Sequence, residues 1–262
     1  PSLSLFCIKT LGIYVYIDKL KYIINYMEEI TIGIPVYKRH EFLGLTAHNI
    51  KSQTYPHNKL TVLIDECKSI EPFIKDISEL RQFLHPIKVI HNIYNKRATI
   101  GEKRNRLVKT CKTKYIQFMD TDDLYRKDCI LYNYGLLKEN RCRCVGSDKM
   151  IFCYMNDSFK LTAIDCADKI HMIHEATLLF EKKWFNSTNK FMKNSQGEGR
   201  NLFHGINKKD VFISDVNKIM ICLVWGGNTV NKDRFKQKEM PSLEEGVIKI
   251  LKGLIDIPTL KD

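Results

Sequence analysis

The strongest constraint on the fold is an alternation. Between residues 30 and 123, short apolar runs take turns with stretches of helical spacing. ITIGIPVY (residues 30–37) and LTVLI (60–64) are rich in β-branched residues, and Ile87–His91 and Tyr115–Met119 are shorter runs of the same kind. Such continuous apolar runs suit strands buried on both faces. Phe42–Ser52, Ile74–Leu84 and Thr99–Cys111, which lie between them, carry the spacing of helices. This succession predicts an α/β fold with a doubly wound, mostly parallel sheet and right-handed crossovers. Ligands of such a sheet bind beyond the carboxyl ends of its strands.

Three of those ends carry polar groups. Pro35 and Tyr37 close the first strand and Asp65 and Glu66 the second; the fourth runs as YIQFMDTDDLY into Asp120, Thr121, Asp122 and Asp123. Carboxylates packed so closely repel each other and resist desolvation, so a cation is expected beside them. Asp120 and Asp122 lie two apart in an extended turn and can point the same way, which suits one hard divalent cation. That ion could bridge to a diphosphate and stabilise charge on a leaving group. Asp123 is left to bind a sugar hydroxyl or to cap a following helix, read over Leu124–Leu137. The competing reading makes all three acids turn and cap residues. Just upstream, GEKRNR places Lys103, Arg104 and Arg106 beside the acidic strand. They are either charge stabilisers for a metal–diphosphate site or a solvated helix face.

The chain has 262 residues, 44% of them hydrophobic, enough for a packed core and against a disordered chain. The expected organisation is one continuous domain: a peripheral segment at 1–29, an α/β half at 30–130, and a mixed half at 131–262. The second half ends in an amphipathic helix, Leu243–Ile255, whose apolar face could pair homo-oligomers. A net charge of +12 favours an anionic partner. The basic residues are spread along the chain rather than gathered with aromatics, which argues against nucleic acid. Nine cysteines, including Cys142 and Cys144 in RCRC, lack the spacing of a zinc site and suit reduced thiols in a cytosol-like compartment. Leu3–Ile17 is broken by Lys9 and too short for a membrane span, and no signal peptide is legible, so the expected location is cytoplasmic. Abundant Lys, Ile, Asn and Tyr suit an AT-rich genome, such as a protist's or a large DNA virus's; in the viral case the location is the host cytoplasm.

In the second half, Met150–Tyr154, Lys160–Ala163, His171–Phe180 and Ile219–Trp225 read as strands. KNSQGEGR (193–200) reads as a polar loop and Asn201–Phe203 as a short helix.

IPVY, LIDE, EKRN and YIQFMDTDD, in that order, resemble the motif succession of family 2 glycosyltransferases with the Rossmann-like GT-A fold. The likeness covers about residues 30–130 and weakens beyond. It implies a nucleoside-diphosphate sugar donor, with Pro35 and Tyr37 bordering the nucleobase and Asp65 or Glu66 on the base or ribose. It further implies Arg104 near the donor, and Asp120 and Asp122, with Thr121 between, holding Mn²⁺ or Mg²⁺ at the diphosphate. The family usually has Asp-Asp where this chain has Asp65-Glu66, so the nucleotide contact stays open within the pair. HEATLLF (174–180) resembles the strand facing the acceptor, which brings His174 and Glu175 near donor or acceptor. SQGEGRNLF resembles the stretch that supplies the catalytic base. Its common Glu-Asp is Glu198-Gly199 here, leaving Glu198 as the only local carboxylate for the acceptor's proton. VWGGNTV (224–230) resembles a stretch often reading H-x-x-N-T/S. Asn228 and Thr229 fit and the His does not, so only the aspartates are expected as metal ligands. Trp225 stacks on a sugar or base, or packs in the core.

The expectation is a metal-dependent transfer from a nucleoside-diphosphate sugar, UDP foremost, to a hydroxyl of a glycan, protein or lipid-linked acceptor, with inversion. A nucleotidyltransferase would use the same metal but wants a Gly-rich basic loop after the first strand, and IPVYKRHEF has none. The remaining alternatives are a nucleic-acid-binding protein and an inactive transferase-like module.

Overall fold

A computed structural model describes residues 27–228, 232, 235 and 239–256. Most of the expected peripheral segment at 1–29 lies outside the described residues, as does Thr229. The first half alternates as read: β1 (Ile30–Val36), α1 (Leu43–Lys51), β2 (Leu60–Cys67), α2 (Ile77–Leu84), β3 (Lys88–Tyr94), α3 (Ile100–Thr110) and β4 (Tyr115–Phe118). These four strands are parallel, with Ile30 opposite both Leu60 and Tyr115. Next come β5 (Asp123–Tyr125), α4 (Cys129–Glu139), β6 (Cys144–Gly146), β7 (Lys149–Tyr154), β8 (Lys160–Asp165) and β9 (Leu179–Glu181). The chain closes with α5 (Lys182–Asn186), β10 (Val211–Ile213), β11 (Met220–Val224), β12 (Glu239–Met240) and α6 (Glu245–Leu254).

Seven strands form one sheet in the order β10-β6-β9-β4-β1-β2-β3, with β9 antiparallel to both its neighbours. The strand order reverses between β1 and β4, the place where such sheets open a crevice. A second sheet runs β12-β8-β7-β11-β5. The chain leaves the large sheet at the end of β4, turns, and pairs Asp123 with Cys222 in the second. Asp120, Thr121 and Asp122 are therefore the crossing between the sheets.

The core follows the two-residue period of the strands. Ile30, Ile32, Ile34, Val62 and Ile64 pack on one side of the large sheet. Leu63, Ile116 and Phe118 pack on the other with Leu107 and Val108 of α3. Each such buried side chain stabilises the fold by roughly 1.5–3 kcal/mol, which fixes the strand register and hence the places of the strand ends.

Three expectations need correction. The helix read over Leu124–Leu137 begins only at Cys129, because Asp123–Tyr125 is drawn into pairing with β11. His171–Phe180 is not one strand: Ile170–Met172 and Glu175–Thr177 are 3-10 turns, and β9 starts at Leu179. Local bonds win there, with Thr177 N–H donating to His174 O and Leu178 N–H to Glu175 O. Asn201–Phe203 forms turns rather than a helix. Among the described residues every cysteine is free, and no helix is long and apolar enough to cross a membrane.

Candidate active site

Helix α3 organises the site. Its start is fixed by a capping box: Thr99 Oγ1 accepts the Glu102 N–H, and Glu102 Oε2 accepts the Thr99 N–H at 2.9 Å. From that anchor its three cations point in three directions. Lys103 donates to the Val36 carbonyl and lies over the Tyr37 ring. Arg106 makes a forked contact with Asp65 at 2.6 and 2.8 Å and stacks on Tyr94. Arg104, 2% exposed, grips both Asp120 oxygens at 3.0 Å and donates through Nε to Glu198 Oε1 at 3.2 Å. Lys103 and Arg104 are buried, so this is no solvated helix face.

The polar loop 192–198 closes over the start of α3. The N–H groups of Ile100 and Gly101 donate to Ser195 Oγ and the Asn194 carbonyl. Gly101 permits the contact, since a Cβ there would collide with the Met192 carbonyl and stand 3.0 Å from Glu198 Cβ. The loop thereby carries Glu198, 5% exposed, onto Arg104.

On the other side of the crossing, Asp122 Oδ2 accepts from Trp225 Nε1 at 3.3 Å and Asn228 Nδ2 at 3.5 Å, with Arg39 Nε 3.9 Å away. Trp225 is held in place by Phe42 and by the Arg39 guanidinium over its ring. Arg39 adopts a left-handed conformation (φ 72°) and bonds the Gly227 carbonyl. Burial lifts the Asp122 carboxyl above its ordinary range; Arg39 pulls it back and Asp120 pushes it up again. A divalent cation would relieve that repulsion, and two carboxylates are the hard oxygen donors Mn²⁺ or Mg²⁺ prefer. The pair fits such an ion. Among the described residues no cluster of three His, Cys, Asp or Glu groups adds a further ligand.

Asp123 belongs to the frame rather than to a helix cap. It is 6% exposed, and its Oδ1 accepts the Leu223 N–H. Burial, then Asp122 and Asp120, push its carboxyl well up. Thr121 is buried and its carbonyl accepts Thr46 Oγ1. Tyr125 ties the crossing down: its hydroxyl accepts the Asp120 N–H and donates to the Ala176 carbonyl. Ala176 is followed back along the chain by Glu175, whose Oε1 accepts the Gly199 N–H at 2.7 Å.

One cleft of about 510 Å³ is lined by Arg104, Asp120, Asp122, Glu175, Glu198 and Asn228, among others. That volume is enough for a small-molecule substrate. His171 and His174 also line it, from turns instead of a shared strand. Burial, aided by Lys232, lowers His174 to about 4, so its ring is neutral near pH 7; its buried Nε2 has no hydrogen-bond partner among the described residues.

The second strand end behaves differently. Glu66, 1% exposed, accepts the Phe73 N–H at 2.6 Å and contacts His91 Nε2 at 2.7 Å. Asp65, equally buried, is held by Arg106. Neither lines the cleft of Asp120 and Asp122. Pro35 and Tyr37 stay partly exposed at the end of β1, with Arg97 over the Tyr37 ring. Sequence reasoning missed Arg39 and Tyr125, which carry no motif of their own. It also took Glu198 as the only carboxylate near the base position, whereas the turn Glu175–Thr177 brings Glu175 to Gly199.

The comparisons settle the family. The model of glycosyl transferase family 2 matches residues 31–208. The chain belongs to this family. A poly(ribitol-phosphate) beta-glucosyltransferase of Bacillus spizizenii is 26% identical over 113 residues, 43% of this chain and 18% of that protein. A glycosyltransferase of Rickettsia felis is 31% identical over 112 residues, again 43% of this chain and 18% of the relative. The chain spans less than half the length of the curated relatives it matches. Among solved structures, a mannosyltransferase of Pyrobaculum calidifontis with GDP-Man and Mn²⁺ superposes with a TM-score of 0.58 at 16% identity, covering 81% of this chain and 60% of that one. TarS residues 1–349 of S. aureus with UDP-GlcNAc gives 0.58 at 10% identity, covering 89% and 69%. These neighbours identify the fold as the GT-A type.

Proposed function

We propose that the protein transfers a sugar from a UDP-sugar to an acceptor hydroxyl, dependent on Mn²⁺ or Mg²⁺ and with inversion. The observation that carries this reading is the convergence of Asp120, Asp122, Arg104, Glu175 and Glu198 on one cleft at the strand-order reversal. Asp120 and Asp122 would hold the ion, which when bound supplies Lewis-acid stabilisation of the diphosphate. Arg104 faces the same phosphates and adds fixed positive charge. Tyr37 and Pro35 border the nucleobase. Asp65 with Arg106, whose side chain is 27% exposed, is the part of the second strand end open to the nucleoside; Glu66 is consumed internally. Trp225, packed on Phe42 and under Arg39, holds Asp122 in place through its Nε1–H. Inversion follows from one displacement: a cleft carboxylate removes the hydroxyl proton while its oxygen attacks the anomeric carbon. The complexes of the structural neighbours with nucleotide sugars support the donor class.

The test is calorimetric titration of UDP and of GDP into the protein with and without Mn²⁺. Binding of UDP that requires Mn²⁺ is expected. Silence of both nucleotides in both conditions would sink the donor site.

A further inference from the structure

Two carboxylates in the cleft could take the acceptor's proton, and the structure treats them differently. Glu198 is tied up. Its Oε1 accepts from the buried Arg104, which also holds Asp120 and whose Nη1 has no hydrogen-bond partner among the described residues. Glu198 and Asp120 together offset the charge of that buried guanidinium. Glu175 is held by neutral backbone N–H groups, that of Gly199 at 2.7 Å and its own, rather than by a cation.

Gly199 explains the arrangement. A Cβ at this position would overlap Glu175 Oε1 and lie 2.8 Å from its Cγ. The space where a residue 199 side chain would begin is therefore filled by the Glu175 carboxylate. The sequence departs from Glu-Asp at this point and another part of the chain, 24 residues earlier, supplies a carboxylate to the same spot.

We propose that Glu175 is the general base of the transfer, and that Gly199 is the vacancy that admits it. The proposal rests on the glycosyltransferase reading above. The acceptor O–H proton passes to the Glu175 carboxylate as the acceptor oxygen bonds the anomeric carbon. The bond from that carbon to the diphosphate oxygen breaks, and its electron pair leaves with the nucleoside diphosphate. Glu175 then returns the proton to solvent. Glu198 positions Arg104. The electrostatics agree: burial and the nearby Glu198 charge raise the Glu175 carboxyl, with Arg104 opposing, and a raised carboxyl is the stronger base.

The experiment uses the full chain with Mn²⁺ and UDP-GlcNAc, water serving as acceptor, and reads UDP release beside calorimetric UDP affinity. Glu175→Gln keeps an acceptor for the Gly199 N–H, so the loop stays in place. It is expected to lower release on the order of 100-fold while UDP affinity stays within about twofold. Glu198→Gln loosens Arg104 and should weaken UDP binding as well. The double variant Glu175→Ser/Gly199→Asp returns a carboxylate to the spot and should recover part of the lost rate. Unchanged release in Glu175→Gln would overturn the proposal. So would UDP binding without turnover of UDP-GlcNAc by the unaltered protein, which leaves the donor site standing. Absence of any UDP binding would remove the glycosyltransferase reading itself.

Discussion

The second and fourth strands end alike in sequence, in apolar runs that close on acids, yet the two ends have opposite fates. At β2 the acids are spent inside the molecule. Glu66 satisfies a backbone N–H and contacts His91, and Asp65 holds Arg106. At β4 the chain crosses between sheets, and Asp120 and Asp122 turn toward the cleft, where they repel each other. The lesson is that a carboxylate's role follows from where its neighbours leave it facing. A strand end whose acids are held away from the cleft serves stability. One whose acids are also held, by Arg104 and by Trp225 and Asn228, yet line the cleft and repel each other is open to a ligand, at a cost in stability.

The largest expected effect tests the ligand-facing end. Asp122→Asn keeps the shape and the contacts to Trp225 and Asn228 but removes half of the carboxylate pair. Mn²⁺-dependent UDP binding and sugar transfer should each fall on the order of 100-fold. Thermal stability should hold or rise, because the charged form is disfavoured by burial and by Asp120. A variant that bound UDP and Mn²⁺ normally would break the contrast at this end.

At the internal end the expectation reverses. Glu66→Ala leaves the buried Phe73 N–H without its acceptor and removes the contact with His91. It should destabilise the fold by about 3 kcal/mol, read from the urea midpoint. UDP affinity of the still-folded fraction should change less than in Asp122→Asn. Equal loss of affinity in the two variants would show that β2 belongs to the ligand site after all.

Much of this was legible because burial on both faces leaves a plain mark. ITIGIPVY and LTVLI are apolar, β-branched runs, and the parallel strands and their ends follow from the α/β alternation. The acids at those ends stood out for the same reason. What stayed hidden depends on long-range pairing. Asp123 joins a strand because Cys222 faces it, far along the chain. The side chains of Glu175 and Arg39 are aimed by a 3-10 turn and by a left-handed residue, for which the sequence offers no periodic signal. The loop carrying Glu198 was readable as polar, but its landing on Arg104 depends on the fit of Gly101 beneath it.

The smallest effect sharpens the same contrast through pH. The Glu175 carboxyl is raised from an ordinary value near 4.5 by burial and by Glu198. The folded protein therefore holds this proton more tightly than the unfolded chain does. By linkage, its contribution to stability is fully present below the ordinary value and is lost as pH rises through the folded value. Glu175→Gln carries no such proton. The variant and the unaltered protein should melt at similar temperatures near pH 4. Toward pH 8 the variant should gain by a few degrees, a difference readable from melting curves across the range. A gap that stays constant from pH 4 to 8 would mean that the Glu175 charge is fully compensated by Arg104. In that case Glu175 would resemble the internal acids of β2, satisfied in place, and the distinction between the two kinds of strand-end carboxylate would not extend to it.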